Sequence, residues 1–214
     1  MVTGGNEPDL AGVLRKRLGA KRGRWALRQV TKAADSFASE YHREALAQLR
    51  PVMDTEAADV PEVRELHGLI LYRLRRWRAA ARELEAFATL TRSCEQAPVL
   101  ADCYRALQRW DKVEELWDEL RHESPSAELV TEGRIVAAGA LADRGRLAEG
   151  VALLADGWRT PRNPQEFHLR RAYALADLYD RGGDQPAARR LFAWIDRHSP
   201  GYADATDRLA DLSA

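Results

Sequence analysis

Hydrophobic and polar positions along this chain follow a long period. A small residue is followed three places on by a larger apolar or aromatic one, a second small residue falls at twelve, and a bulky apolar one at sixteen. Five sets fit: Ala33/Ser36/Ala45/Leu49, Gly68/Leu71/Ala80/Leu84, Ala101/Tyr104/Val113/Trp117, Ala138/Leu141/Gly150/Leu154 and Ala176/Tyr179/Ala188/Phe192. Successive small residues are 35, 33, 37 and 38 positions apart. A period of this length predicts stacked helical hairpins, since one hairpin cannot bury its apolar face alone. The small residues let neighbouring helices approach, and the bulky one fills the groove between them.

The second set is the best formed. In HGLILYRLRRWRAAARELEAF the first helix runs to about Leu74 and Arg75-Arg76 makes the turn. Trp77 opens a helix whose Ala80, Leu84 and Phe87 share a stripe. The third has the same layout, with Arg109-Trp110 at the turn and a Val113, Trp117 and Leu120 stripe. In the fifth, Gly182-Gly183-Asp184 makes the turn: glycine ends a helix in the left-handed conformation, aspartate caps the next, and Pro186 suits its first turn. Ser36 and His42 stand where bulkier apolar residues are usual. Gly150 and Gly157 each cost about 1 kcal/mol inside a helix, so the first and fourth copies read as loosened. Residues 202–212 read as a capping helix with Asp204, Asp207 and Asp211 on its wet side.

Together these features resemble the tetratricopeptide repeat (TPR) superfamily, in divergent form, over residues 25–213. Pro200 stands where that family often places its closing proline. The resemblance implies an all-α, right-handed superhelix (solenoid) of about five antiparallel helix pairs plus a C-terminal capping helix. The segments APVLADCYRAL and AELVTEGRIVAAGALADRGR are similar to uncharacterised actinobacterial TPR proteins, a likeness that brings no activity with it.

Charge changes the picture at the N-terminus. The whole chain carries 33 basic and 33 acidic side chains, yet residues 1–32 hold Arg15, Lys16, Arg17, Lys21, Arg22, Arg24, Arg28 and Lys32 against Glu7 and Asp9. With Gly19, Gly23 and few apolar residues, 1–23 reads as a basic, flexible arm able to bind a polyanion, ahead of a TPR-like domain over 24–214. Two cysteines without paired spacing, no apolar leader and no run long enough to span a bilayer point to a cytoplasmic protein.

Chemistry is sparse. The five histidines sit apart, and none pairs with a second ligand at helical spacing. No phosphate loop is present. Neither enzyme activity, metal nor cofactor is expected. The run Arg73-Leu74-Arg75-Arg76-Trp77-Arg78 mixes bases with an aromatic, as nucleic-acid surfaces do, but Trp77 fills the repeat's own turn position. The resemblance places a concave groove along the first helices, with Glu65, Leu69, Tyr72, Arg73, Asp102, Arg105, Tyr173 and Asp177 as partner-binding residues. Across all the exposed first-helix positions this groove counts eight acids, among them Glu62, Glu95, Glu132, Asp143 and Asp180, against three bases. A non-enzymatic protein–protein interaction scaffold for a basic or mixed-charge peptide or protein is therefore expected. The alternative is a nucleic-acid-associated regulator acting through the basic arm.

Overall fold

A computed structural model describes residues 9–212, in which eleven α-helices and one short 3-10 helix form and no strand does. The chain divides into two compact units, with the boundary between Leu107 and Gln108. In the first are α1 (Leu10–Ala38), α2 (His42–Met53), a 3-10 turn (Glu56–Asp59), α3 (Pro61–Arg73), α4 (Trp77–Thr91) and α5 (Ala97–Ala106). In the second are α6 (Trp110–Glu123), α7 (Ala127–Asp143), α8 (Leu147–Ala155), α9 (Glu166–Arg181), α10 (Gln185–His198) and α11 (Ala205–Asp211). Each sequence set except the third lies on one hairpin within one unit: α1/α2, α3/α4, α7/α8 and α9/α10. The third set has its first two members on α5 and its last two on α6.

The repeat also fixes its turns. Glu40, Arg75, Gln108, Gly145 and Gly183, each seven residues beyond the small residue of its set, all have positive φ, between 57° and 80°. One residue later the backbone N–H reaches back five places: Tyr41 to Ser36 at 2.8 Å, Arg76 to Leu71 at 2.9 Å, Arg146 to Leu141 at 2.9 Å and Asp184 to Tyr179 at 2.9 Å. This is the 6→1 bond that closes a helix on a left-handed residue and satisfies a terminal carbonyl. Asp184 then caps α10 by accepting from the Ala187 N–H at 3.1 Å.

The N-terminal expectation needs correcting over the described part of the arm; residues 1–8 lie outside the described residues. Residues 10–38 are helical but broken at Gly19 (φ 78°, ψ 167°). The piece before the break packs into the first core, with Leu14 fully buried, Leu18 nearly so, and Val30, Ala33, Ala45 and Leu49 around them. A Cβ on Gly23 would lie 2.8 Å from the Arg15 Cα. The glycines read as marks of mobility thus do the opposite: Gly19 breaks the helix and Gly23 lets one backbone touch the other. Asp9 caps the start by accepting from the Ala11 and Gly12 N–H groups at 3.2 and 3.1 Å.

The copies read as loosened are also close-fitting. Ser36 Oγ donates to Gln48 Oε1 at 3.1 Å, tying α1 to α2 by a polar link. A Cβ on Gly150 would stand 2.7 Å from the Ala138 carbonyl oxygen, so this glycine permits the α7–α8 contact. Gly157 lies beyond α8 with φ 64° and carries no helix-interior penalty. The short α8 is closed by two arginines. Arg134 Nη1 donates to the Leu153 carbonyl at 3.0 Å, and Arg171 Nε and Nη2 donate to the Leu154 carbonyl at 2.9 and 2.8 Å. Cations at a helix C-terminus satisfy its last carbonyls and match its dipole.

Candidate functional site

The predicted partner-binding residues fall into two groups, one in each unit. In the first, α3 carries Glu65, Leu69, Tyr72 and Arg73, and α5 carries Asp102 and Arg105. The Tyr72 hydroxyl donates to Asp102 Oδ2 at 2.8 Å, while its ring meets Trp77 edge-on with centroids 5.5 Å apart. Trp77 is thereby a turn-packing residue. Arg105 Nη1 lies 3.5 Å from Asp102 Oδ1. Glu65 accepts from Gln96 Nε2 at 2.8 Å; Leu69 is half-buried and Arg73 exposed. Burial, helped by Glu95 and Glu62, pushes the Glu65 carboxyl above the usual range against the opposing Gln96 bond. Burial and then Asp102 push the Tyr72 hydroxyl up, so it remains a donor. Glu62 also buries one carboxylate oxygen without a partner. On the α3–α5 face Asp102 is thus matched by Tyr72 and Arg105, while Glu65 feels the like charges of Glu62 and Glu95.

In the second unit the site residues meet partners from α11 and the segment before it. The Tyr173 hydroxyl donates to Asp204 Oδ1 at 2.5 Å, and the Tyr202 hydroxyl to Glu166 Oε1 at 3.0 Å. Burial, then the bonded carboxylate, raises each tyrosine to about 12. Arg208 Nη2 donates to Asp180 Oδ2 at 2.7 Å and to Asp177 Oδ1 at 3.3 Å. Arg170 pairs with Glu132 at 2.8 Å, although burial still lifts the Glu132 carboxyl, with Glu128 and Glu166 adding to the rise. The acid excess counted from first helices alone is thus reduced in this unit by Arg208. Asp204, expected only on the wet side, is exposed yet bonded to Tyr173. Sequence reasoning missed Gln96, Tyr202, Asp204 and Arg208. The available signal for Arg208 is that it is the one base among three aspartates between Tyr202 and Leu212.

The arm residues Arg15, Lys16, Arg17, Lys21, Arg22 and Arg24 are all exposed on α1. Arg22 lies 3.5 Å from Glu56, and Arg17 Nη1 donates to the Glu56 carbonyl at 3.5 Å. Among the described residues no group of three or more His, Cys, Asp or Glu side chains is arranged to hold a metal. Among them too, no helix is long and apolar enough to cross a membrane. Burial, then Asp102, pushes the Cys103 thiol to about 12, which keeps it protonated at neutral pH.

No protein-family model and no curated protein matches the chain. Solved structures do. TTC0263, a thermophilic TPR protein of Thermus thermophilus, aligns with a TM-score of 0.66 at 18% identity, over 88% of this chain and 98% of that one. Pseudomonas aeruginosa pilF aligns with a TM-score of 0.56 at 13% identity, over 88% and 89%. YrrB, a TPR protein described as having an unusual peptide-binding site, aligns with a TM-score of 0.50 at 14% identity, over 85% and 90%. The five-fold period, the all-helical hairpins with their left-handed turns, and these likenesses agree: the chain has the all-α helical solenoid fold of the tetratricopeptide-repeat proteins.

Proposed function

We propose that the protein is a non-enzymatic scaffold that holds a peptide or protein of basic or mixed charge against its first-helix faces. The observation that carries this reading is the α3–α5 face, where Glu65 is partly desolvated beside Glu62 and Glu95. A cationic side chain placed there would relieve like-charge repulsion and supply the missing partner of Glu62. Tyr72, fixed by Asp102 and Trp77, offers a rigid flat contact at little entropy cost. The peptide-binding site described for YrrB supports the same use of the fold. Binding of a Lys/Arg-rich and an Asp/Glu-rich fluorescent peptide pool tests it by anisotropy. The basic pool should bind and lose most of its affinity in E62Q/E65Q/E95Q; equal binding of both pools, or no loss in the variant, sinks it.

A second reading rests on the exposed bases of α1, eight with Arg28 and Lys32 included, which suit a nucleic-acid backbone. Because Leu14 and Leu18 are core residues, deleting this segment would uncover the core. Exchange of Arg15, Lys16 and Arg17 for Gln is the cleaner test: lost retardation of mixed DNA and RNA in a gel would favour this reading, and unchanged mobility would end it.

A further inference from the structure

The first unit holds an open pocket of about 600 Å³ between α2 and α4, rimmed by the exposed Arg43, Arg50, Arg76 and Arg82 over a floor that includes Leu46, Met53 and Leu71. Arg43, Arg50 and Arg76 make no ion pair or side-chain hydrogen bond among the described residues. Asp54 is the one acid in the wall. Arg82 is oriented from beneath: its Nε and Nη2 donate to Glu83 Oε1 at 3.2 and 2.9 Å. Glu83 is itself buried and receives Arg64 Nη1 on its other oxygen at 2.6 Å. His67 also lines the cavity, and its Nδ1 is buried without a hydrogen-bond partner.

The repeat does not require these charges. In the second unit the positions equivalent to Arg43, Arg50 and Arg76 are Ala148, Ala155 and Asp184, and those equivalent to Arg64, His67 and Glu83 are Ala172, Leu175 and Leu191. The second-unit hairpins fold with buried alanine and leucine at the latter three places. A buried acid with its cations is seldom a stability device, since apolar residues of similar volume generally serve as well. Here its effect is to hold Arg82 in the wall of a cavity where three further guanidinium groups lack counter-charges. Planar guanidinium forks match the oxygens of a phosphate, and several unpaired ones favour a ligand of more than one negative charge. The volume lies within the range of small-molecule sites, and the apolar floor accepts an organic body.

We propose that this cavity between α2 and α4 binds a small organic phosphate, with Arg43, Arg50, Arg76 and Arg82 holding the phosphate and Leu46, Met53 and Leu71 the organic part. The site is separate from the α3–α5 face and does not depend on that reading. Calorimetric titration of the full chain at fixed ionic strength tests it, with phenyl phosphate, a short phosphoserine peptide and benzoate as probes. Phenyl phosphate should bind one-to-one and the R50Q/R76Q variant should lose about tenfold or more in affinity. R190Q/R197Q, which removes the same charge from the second unit, should bind as the parent does. If the phosphoserine peptide binds more tightly than phenyl phosphate, the phosphate is supplied by a modified protein; the reverse order assigns a free metabolite. Absence of heat with both phosphates, equal affinity for benzoate, or equal weakening by R190Q/R197Q would overturn the proposal. Unchanged unfolding midpoints in both variants separate lost binding from lost folding.

Discussion

The two units each carry a cavity at the same place in the repeat, and the two cavities differ in kind. That of the second unit, about 580 Å³ between α8 and α10, is lined by Trp158, Trp194 and Tyr179, with Arg190 and Arg197 at its edge. Trp158 and Trp194 meet edge-on with centroids 5.8 Å apart, and Arg171 lies over Trp158 at 5.4 Å. Arg190 is the equivalent of Arg82, and Trp158 of Met53. Beneath the first cavity lies Glu83 with Arg64 and His67; beneath the second, apolar side chains. Packing positions shared by the hairpins create the hollow, and the residues that packing leaves unconstrained decide whether it is charged or aromatic.

The largest effect should come from breaking the charged base of the first unit. Burial tends to raise the Glu83 carboxyl, but His67, Arg64 and Arg82 outweigh it and hold it at about 2. His67 Nδ1 lies 3.8 Å from Oε2, beyond hydrogen-bond distance. Glu83→Ala should cost about 3–5 kcal/mol in urea unfolding, because Arg82 loses its carboxylate and Arg64 is left with the exposed Asp59 alone. Converting the site to the second unit's residues, R64A/H67L/E83L, should recover most of that loss while abolishing phosphate binding. If the triple variant is no more stable than Glu83→Ala, the equivalence of the two sites is wrong.

The same carboxylate gives a pH signature. Its folded value lies below the unfolded 4.5, so its contribution is complete above about pH 4.5 and is lost as pH falls toward 2. Glu83→Gln should show a shallower fall in stability across that window, measured by circular dichroism; an identical slope would remove Glu83 from the acid response.

On the aromatic side, Trp158→Ala should cost about 2–3 kcal/mol, less than a fully buried tryptophan, through loss of the Trp194 and Arg171 contacts. The equivalent Met53→Ala should cost less, which paired unfolding curves would show. A larger loss for Met53→Ala would reverse the ranking of the two cavities.

The smallest effects belong to the turns, where the units again differ. Glu40 and Arg75 adopt left-handed conformations that Gly145 and Gly183 supply in the second unit. Arg75→Gly should stabilise by up to about 1 kcal/mol and Gly183→Ala should destabilise by about the same. Opposite shifts in melting temperature would confirm that the two turns are one motif filled differently.

Much of this was legible in the sequence. The turn at Arg75-Arg76, the start of α4 at Trp77 and the Gly182-Gly183-Asp184 turn stand where the pattern puts them, because those residues act locally through helix periodicity, caps and left-handed backbone. The N-terminal arm misled, since glycine is as well suited to close packing as to freedom, and only the partner backbone, here Arg15 against Gly23, tells which. The candidate faces were half legible: Tyr72 and Asp102 are on first helices as expected, but their bond joins residues thirty apart, and Arg208 comes from the capping helix to neutralise Asp177 and Asp180.

The sequence by itself determined the period, the helices and the turns, since each follows from side-chain size and backbone preference within a few neighbouring residues. Tertiary structure decided which charges are paired, which glycines are contacts and where arginines converge. Those outcomes depend on distances between helices that side-chain packing sets, and no spacing along the chain records them.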